Sequence, residues 1–384
     1  MKSMGAVLWG VGEKWSVEEI EILPTAPGEV LIEWKAAGLC HSEEHFVTGD
    51  FVLPPEIREQ AGLPSPFPML GGHEGAGVVV DVGAGVTDVR PGDLVASSFI
   101  PSCGRCRYCA RGHQSLCRQG AALMLPGQMI DGAVRHFCRS EPLNLYSKCG
   151  TFARHSLLSE QSVIKVDPAL PPEVVALVSC GVATGWGSAV YRAGTVAGDV
   201  VVVVGCGGVG MNAVQGAAMA GAKAVVAVDP VEFKRHSAPQ FGATHACATM
   251  AEAIDLVRDL SYGEMADRVI MAPSVMYGNL MAEAMTLTGK GGTCVVTGVA
   301  PALQGEASIN LMQLAMLNKE VKGTIFGSGN PRFDIPNLLS MYTAGKLKLN
   351  ELVTRTYQLE DINDGYEDMR QGKNLRGVIV FDQA

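Results

Sequence analysis

Four cysteines, Cys103, Cys106, Cys109 and Cys117, stand at the spacing C-x2-C-x2-C-x7-C. Thiolates spaced in this way close a tetrahedral shell around one zinc ion, and four sulfurs leave no position for a substrate. The ion expected here is structural. Ferredoxin-type runs also begin C-x2-C-x2-C, but the C-x3-C-P continuation of an iron–sulfur site is absent. A second donor set can be drawn from Cys40, His73 and Cys180, two thiolates and one imidazole that would leave a fourth position on zinc for water or substrate. Their distance in sequence makes convergence a demand on the fold. Around them, Cys40-His41-Ser42-Glu43-Glu44-His45 crowds thiol, hydroxyl, carboxylates and imidazoles together, and His73 lies in Gly71-Gly72-His73-Glu74-Gly75, where glycines give its ring little to pack against. The eleven cysteines are odd in number and unevenly spaced, which does not suggest a secreted disulfide framework.

A different chemistry is written at Gly205-Cys206-Gly207-Gly208-Val209-Gly210, directly after Val201 to Val204. The β-branched run predicts a strand buried on both faces, and the small apolar residues Met211 to Ala220 predict a tightly packed helix. The chain must turn at Gly205, bring bare backbone to a ligand at Gly207 and press helix on strand at Gly210. This is the dinucleotide fingerprint, with a pyrophosphate held at the helix N-terminus. A second strand, Ala224 to Val228, ends in Asp229, at the distance where an acid meets the ribose hydroxyls. Pro230 and Val231 follow in place of an arginine, which favours NAD over NADP.

The elements that must position these groups fall into two patterns. Residues 1 to about 60 alternate apolar and polar positions, as in Val30-Leu31-Ile32-Glu33-Trp34, and read as short antiparallel strands. Asp50 to Leu70 reads as an irregular, proline-rich loop, Val78 to Val82 as a strand, and residues 118 to 150 as a long connector. A helix is expected from Pro171-Pro172-Glu173 to Gly181, and another opening at Thr184. From residue 199 strands and helices alternate, with strands at Val200 to Gly205, Ala224 to Val228, Thr244 to Ala246, Asp267 to Met271, Thr293 to Thr297 and Val321 to Phe326. That count suits a six-stranded doubly wound α/β sheet. After residue 330 a helix at Ile335 to Ala344 and strands at Leu352-Val353-Thr354 and Gly377 to Phe381 would return to the first pattern.

The chain has 384 residues, enough for two domains, and its 18% charged against 47% hydrophobic content implies a large interior or subunit contact. A net charge of −9 without a basic block argues against nucleic acid and against an anionic membrane surface. The first twenty residues hold no signal-peptide core, and glycines and charges interrupt the long apolar stretches, so the expectation is a soluble, cytoplasmic protein.

Taken together, Cys40-His41-Ser42, Gly72-His73-Glu74, the Cys103 to Cys117 cluster, Cys180-Gly181 through Gly187, the glycine loop with Asp229, and Leu375-Arg376 occur in the order seen in zinc-containing medium-chain alcohol dehydrogenases, which the whole chain resembles. The resemblance implies a GroES-like, mostly-β catalytic domain at 1–180 that resumes at 328–384, split around a Rossmann domain at 181–327. It implies two zinc ions, NAD, and a catalytic zinc on Cys40, His73 and Cys180 that lowers the pKa of an alcohol hydroxyl. Ser42 would accept the alcohol proton and pass it through the coenzyme ribose to His45 near solvent. Glu74 and Arg376 would form a pair behind the zinc, with Arg376 also reaching the coenzyme phosphates. Thr184 and Val209 would press on the nicotinamide, His41 would face the pyrophosphate, and Asp229 and Lys234 would hold the adenosine ribose. Phe99, Tyr146 and Val299 would line the substrate pocket, Val299 also beside the coenzyme.

The chain departs from the family at Glu43, where an aspartate is usual, and in the longer stretch between Cys40 and His73. The leading reading is oxidation of primary or aromatic alcohols, or reduction of the aldehydes, with NAD. The opening through Asp50 is similar to bacterial nicotinoprotein alcohol dehydrogenases, which retain NAD(H) and use an external acceptor. A glutathione-dependent formaldehyde dehydrogenase would carry an arginine where this chain places Ala121, and a non-catalytic protein of the same fold would need none of Cys40, His73, Cys180, Ser42 and His45. Apolar residues 300–317 suggest a subunit edge in a dimer or tetramer.

Overall fold

In the computed structural model, which describes residues 1–120 and 129–381, the valine run becomes the strand Val200–Val204, buried along its whole length. Ala121 lies outside the described residues. Strand Val200–Val204 pairs in parallel with Ala224–Val228 on one side and Ala266–Met271 on the other. His245–Cys247 extends the sheet at one edge, and Thr288–Val296 followed by Glu320–Gly323 extend it at the other, every pairing parallel. This is a six-stranded doubly wound order, 3-2-1-4-5-6 in chain sequence. Strand and helix residues such as Val202, Val226, Ala253, Val257, Val269 and Leu287 form its core. The sheet belongs to the compact unit Gly181–Gly329.

The other compact unit, Met1–Cys180 with Asn330–Ala384, carries two mostly antiparallel sheets. The long strand Glu29–Gly38 is the hub of the larger one. It pairs with Glu74–Val82, with His155–Ser159 and with the C-terminal strand Arg376–Val380. Two register shifts against Glu74–Val82 bend the hub strand. The smaller sheet is built on Lys2–Leu8 paired with Ser16–Ile22.

Three expectations are corrected. The first sixty residues are not all strand: His41–Thr48 is a helix, with extended Cys40 before it, Glu43 and Glu44 in its first turn and left-handed Gly49 closing it. Pro55–Gln60 is a second short helix that uses Pro55 at its start, so the proline-rich loop is not wholly irregular. Parts of the connector after residue 118 add strands His136–Cys138, Glu141–Pro142 and Asn144–Leu145 to the smaller sheet.

One helical stretch runs unbroken over Pro172–Arg192, where two helices and no spanning-length segment were expected. By length and composition it would cross a membrane, but 83% of its most apolar window is buried inside the protein, as in a core helix. Its glycines do not interrupt it because they admit neighbours: a Cβ on Gly185 would stand 1.9 Å from the Val209 carbonyl oxygen. The stretch contains π-helical turns at Val178–Val182 and Ser188–Arg192. Such wider turns recur at functional sites, and the first holds Cys180.

Candidate active site and metal centres

Cys40 precedes the helix His41–Thr48, His73 precedes the strand Glu74–Val82, and Cys180 sits in the π-helical turn. These separate elements bring ligand atoms of Cys40, His73, Glu74 and Cys180 within 4.8 Å of one another, all four residues being buried. The Cys40 thiol is held well below its ordinary range, first by a hydrogen bond from the Cys180 thiol and also by His73, against the opposing effect of burial.

The orientation of His73 comes from Glu43, whose Oε1 lies 2.5 Å from His73 Nδ1. Occupying Nδ1 leaves Nε2 as the nitrogen turned to a metal, and a carboxylate on the far nitrogen is the usual support of a zinc-binding imidazole. The extra methylene of Glu43 therefore reaches its target. Burial pushes the Glu43 carboxyl up to about 7, while His73 beside it pulls the other way. On the other side, the Arg376 guanidinium donates to Glu74 Oε2 and, at 3.0 Å, to the Leu39 carbonyl. This buried ion pair needs Gly38, where a Cβ would lie 2.1 Å from Glu74 Oε2.

Ser42 Oγ is 3.4 Å from Cys40 Sγ, placing its hydroxyl against the donor set. His45 is buried, not near solvent as the resemblance implied; the residue is 2% exposed and its ring is 5.1 Å from that of His41. The reason is local, because the chain after Gly49 folds back on the helix end, with Phe51 N donating to the His45 carbonyl. The ring of Phe99 stands 5.4 Å from His73 and that of Tyr146 5.2 Å. Phe46 packs edge-on against Tyr146, and Phe51 and Phe67 against Phe46. Sequence reasoning had passed over Phe46, Phe67 and Asp50; the turn signal Gly49-Asp50 was the only cue to the last.

The second cysteine cluster is local. Ligand sulfurs of Cys103, Cys106, Cys109 and Cys117 lie within 4.8 Å of one another, with Cys103 Sγ and Cys109 Sγ 4.0 Å apart. A tetrahedron with zinc–sulfur bonds of about 2.3 Å has edges of about 3.8 Å, so the cage fits that ion. Backbone N–H groups of Cys103 and Cys106 point at Cys117 Sγ and Cys103 Sγ, respectively, as thiolate cages require. Backbone N–H groups of Arg118 and Cys109 bring the Cys106 thiol down to about 6.

In the sheet unit each fingerprint glycine answers a separate steric demand. Gly205 has φ of 86° and its Cβ would strike the Ala272 carbonyl, Gly210 would strike the Gly205 carbonyl, and a Cβ on Gly207 would meet nothing within 4 Å. Open space above Gly207, at the start of the helix Gly208–Met219, suits a cradle for a pyrophosphate. Asp229 directly follows the strand Ala224–Val228, with Oδ2 accepting from Cys206 N at 2.8 Å and Oδ1 from Val231 N at 2.8 Å. Lys234 lies on the helix Glu232–Ser237, Thr184 on Ala183–Gly187, and Val299 in the loop after Thr288–Val296, its carbonyl accepting from Met276 N.

Residues 26–168 match the family model of the alcohol dehydrogenase GroES-like domain, and residues 208–344 that of the zinc-binding dehydrogenase. Over 381 residues, 99% of both chains, the sequence is 48% identical to alcohol dehydrogenase B of Mycobacterium tuberculosis. The chain belongs to the zinc-containing alcohol dehydrogenase family. It is also 48% identical over 380 residues, 99% of each chain, to the NDMA-dependent alcohol dehydrogenase of Amycolatopsis methanolica. The crystal structure of benzyl alcohol dehydrogenase from Acinetobacter calcoaceticus superposes with a TM-score of 0.88 at 26% identity, covering 100% of both chains. As in that family, the fold combines a GroES-like domain with a Rossmann sheet, and the cofactors are zinc and a nicotinamide dinucleotide.

Proposed function

We propose that this alcohol dehydrogenase oxidises aromatic and other primary alcohols with NAD, or reduces the matching aldehydes, at the site formed by Cys40, His73 and Cys180. The observation that carries the reading is the buried convergence of two thiols and an imidazole whose far nitrogen is held by Glu43. Two sulfurs and one nitrogen fit a catalytic zinc, which when bound acts as a Lewis acid on the substrate oxygen. The protein does the rest. Ser42, beside Cys40, takes the hydroxyl proton; His45 receives it; Glu74 and Arg376 cancel one another's charge behind the ligands. Gly205, Gly207, Gly208, Val209 and Gly210 hold the dinucleotide phosphates, Asp229 and Lys234 its adenosine ribose, and Thr184 and Val299 of the same unit add further coenzyme contacts.

Aromatic substrates are favoured by the rings of Phe99 and Tyr146 beside His73, with Phe46 packed on Tyr146, since offset and edge-on ring pairs add to the burial of an arene. The test is kcat/KM for benzyl alcohol against ethanol in the native protein and in Tyr146→Ala. We expect benzyl alcohol to be preferred at least tenfold, about 1.4 kcal/mol, and the preference to shrink in the variant. Equal use of both alcohols would refute the aromatic assignment.

A second reading, in which NAD(H) stays bound and an external acceptor reoxidises it, is supported by the 48% identity to a protein named for its dependence on NDMA. Extensively dialysed protein would then release NAD(H) on denaturation. A homo-oligomer is supported by the open edge strand Glu320–Gly323 and the helix Leu311–Met316, which buries no residue and exposes Leu311 by 73% and Met316 by 76%. Light scattering of Leu311→Asp against the native chain reads this directly.

A further inference from the structure

His45 receives a proton in the reading above, yet its ring is sealed from water. Its Nδ1 lies 3.4 Å from Asp50 Oδ2. The side chain of Asp50 is 25% exposed against 3% for His45, so the carboxylate is where this pair meets solvent. The approach is built by the helix end. Gly49 adopts φ of 84°, a conformation that costs most other residues energy, and a Cβ there would also stand 2.8 Å from Val11 Cγ1. After that turn the Phe51 N–H returns to the His45 carbonyl at 3.1 Å, which carries Asp50 back beneath the ring. Thr48 Oγ1, 2.8 Å from Asp50 Oδ2, donates to it and holds the carboxylate in place.

We propose that Asp50 is a positioning residue for the proton transfer, acting through His45. A carboxylate at Nδ1 takes the N–H there, so Nε2 is the bare nitrogen that accepts a proton. It also stabilises the imidazolium while that proton is held, the logic of an acid that orients a histidine base. The step balances with a nicotinamide dinucleotide bound, which would supply the hydride acceptor for the alcohol carbon: the hydroxyl proton would pass by way of Ser42 to His45 Nε2, and water would take it at Asp50, the exposed member of the pair. The proposal rests on the reading of His45 as proton acceptor, and the variants below separate the two.

The test compares native enzyme, His45→Gln, Asp50→Asn, Asp50→Glu and Asp50→Ala with and without added formate, reading kcat, KM for the alcohol and the solvent deuterium isotope effect. Asp50→Asn should lower kcat about tenfold with KM within about twofold, as for a group used only in the proton step. Its solvent isotope effect should rise, Asp50→Glu should recover most of the rate, and formate should restore Asp50→Ala. If His45→Gln is impaired while Asp50→Asn matches native enzyme in kcat and isotope effect, Asp50 has no such role. Should His45→Gln turn over normally, the relay itself is wrong and the proposal goes with it. Thr48→Val keeps the charge and loosens its anchor; if Asp50→Asn does not fold, an unchanged kcat and isotope effect in Thr48→Val, or no formate rescue of Asp50→Ala, overturns the assignment.

Discussion

On the proposed reading, the two cysteine centres of the same compact unit would make opposite use of one metal. At Cys103 to Cys117 all donors come from one short segment, two of them half-exposed, and arginines 105, 107, 111 and 118 are interleaved with them. Four thiolates around a divalent ion leave a net charge of about −2, which is tolerable only with water, backbone N–H groups and nearby cations. At Cys40, His73 and Cys180 the donors arrive from separate elements and are buried. Two thiolates cancel a divalent ion, so the centre can be dry and still accept a substrate oxygen. Charge count and burial, more than ligand type, would then separate a centre that holds a lobe together from one that reacts.

The strongest way to break that distinction is to remove one ligand from each centre. Cys180→Ala should lose turnover by at least about 10³-fold, roughly 4 kcal/mol of barrier, while metal analysis falls from two zinc ions per chain to one. Wild-type turnover in that variant would mean that the buried cluster is not the reacting centre. The paired change Cys103→Ser with Cys106→Ser should act the other way round. Zinc again falls by one and thermal stability drops by several degrees, because a structural site adds its binding free energy to folding, but kcat per folded chain stays within a few fold. A large loss of kcat at full stability would merge the two centres into one functional class.

Between those extremes lies Glu43. Removing the carboxylate that holds a zinc-binding imidazole costs about 10- to 100-fold in metal affinity or activity. Glu43→Gln should fall in that range and Glu43→Asp should lose part of the contact, because its side chain is one methylene shorter than the one that meets His73 Nδ1. Competition with a zinc-binding dye reads the affinity. Equal zinc affinity in all three proteins would leave His73 oriented by packing alone.

What could be read from sequence divides along the same line as the two centres. The Cys103 cluster and the glycine loop were legible because each is a local pattern: spacing sets the cage, and Gly205, Gly207 and Gly210 fall within six residues, although the carbonyl that a Cβ on Gly205 would strike belongs to distant Ala272. The reacting centre was not legible from spacing, since Glu43 meets His73 thirty positions away and Arg376 meets Glu74 only through the C-terminal strand. Order of motifs along a related family supplied it instead. The helix His41–Thr48 was missed because eight residues are too few for periodicity to outweigh the strands before it. Its closing Gly49 was the usable signal. In Pro172–Arg192 the glycines read as breaks, whereas tertiary contact at Gly185 makes them packing positions.

The finest contrast is between two buried histidines of this unit, His73 and His136. For His73 burial opposes charging, but Glu43 and then Cys40 overcome it and hold the ring above its ordinary range. For His136 burial leads, Arg135 adds to it, and the ring is pushed down to about 3, its Nε2 accepting from Leu157 N at 3.1 Å. The sign follows. Below its ordinary pKa of about 6.5 the unfolded chain binds a proton that the folded His136 refuses, so stability is lost as pH falls through the window from about 6.5 to about 3. The slope from this one group approaches about 1.4 kcal/mol per pH unit within the window and vanishes above it. His136→Gln keeps an acceptor for Leu157 N and cannot titrate. Its urea midpoint should therefore fall less between pH 7 and pH 4.5 than that of the native chain, the difference closing above pH 7. Parallel pH profiles for the two proteins would show that burial alone does not set this ring's charge, and the contrast with His73 would lose its meaning.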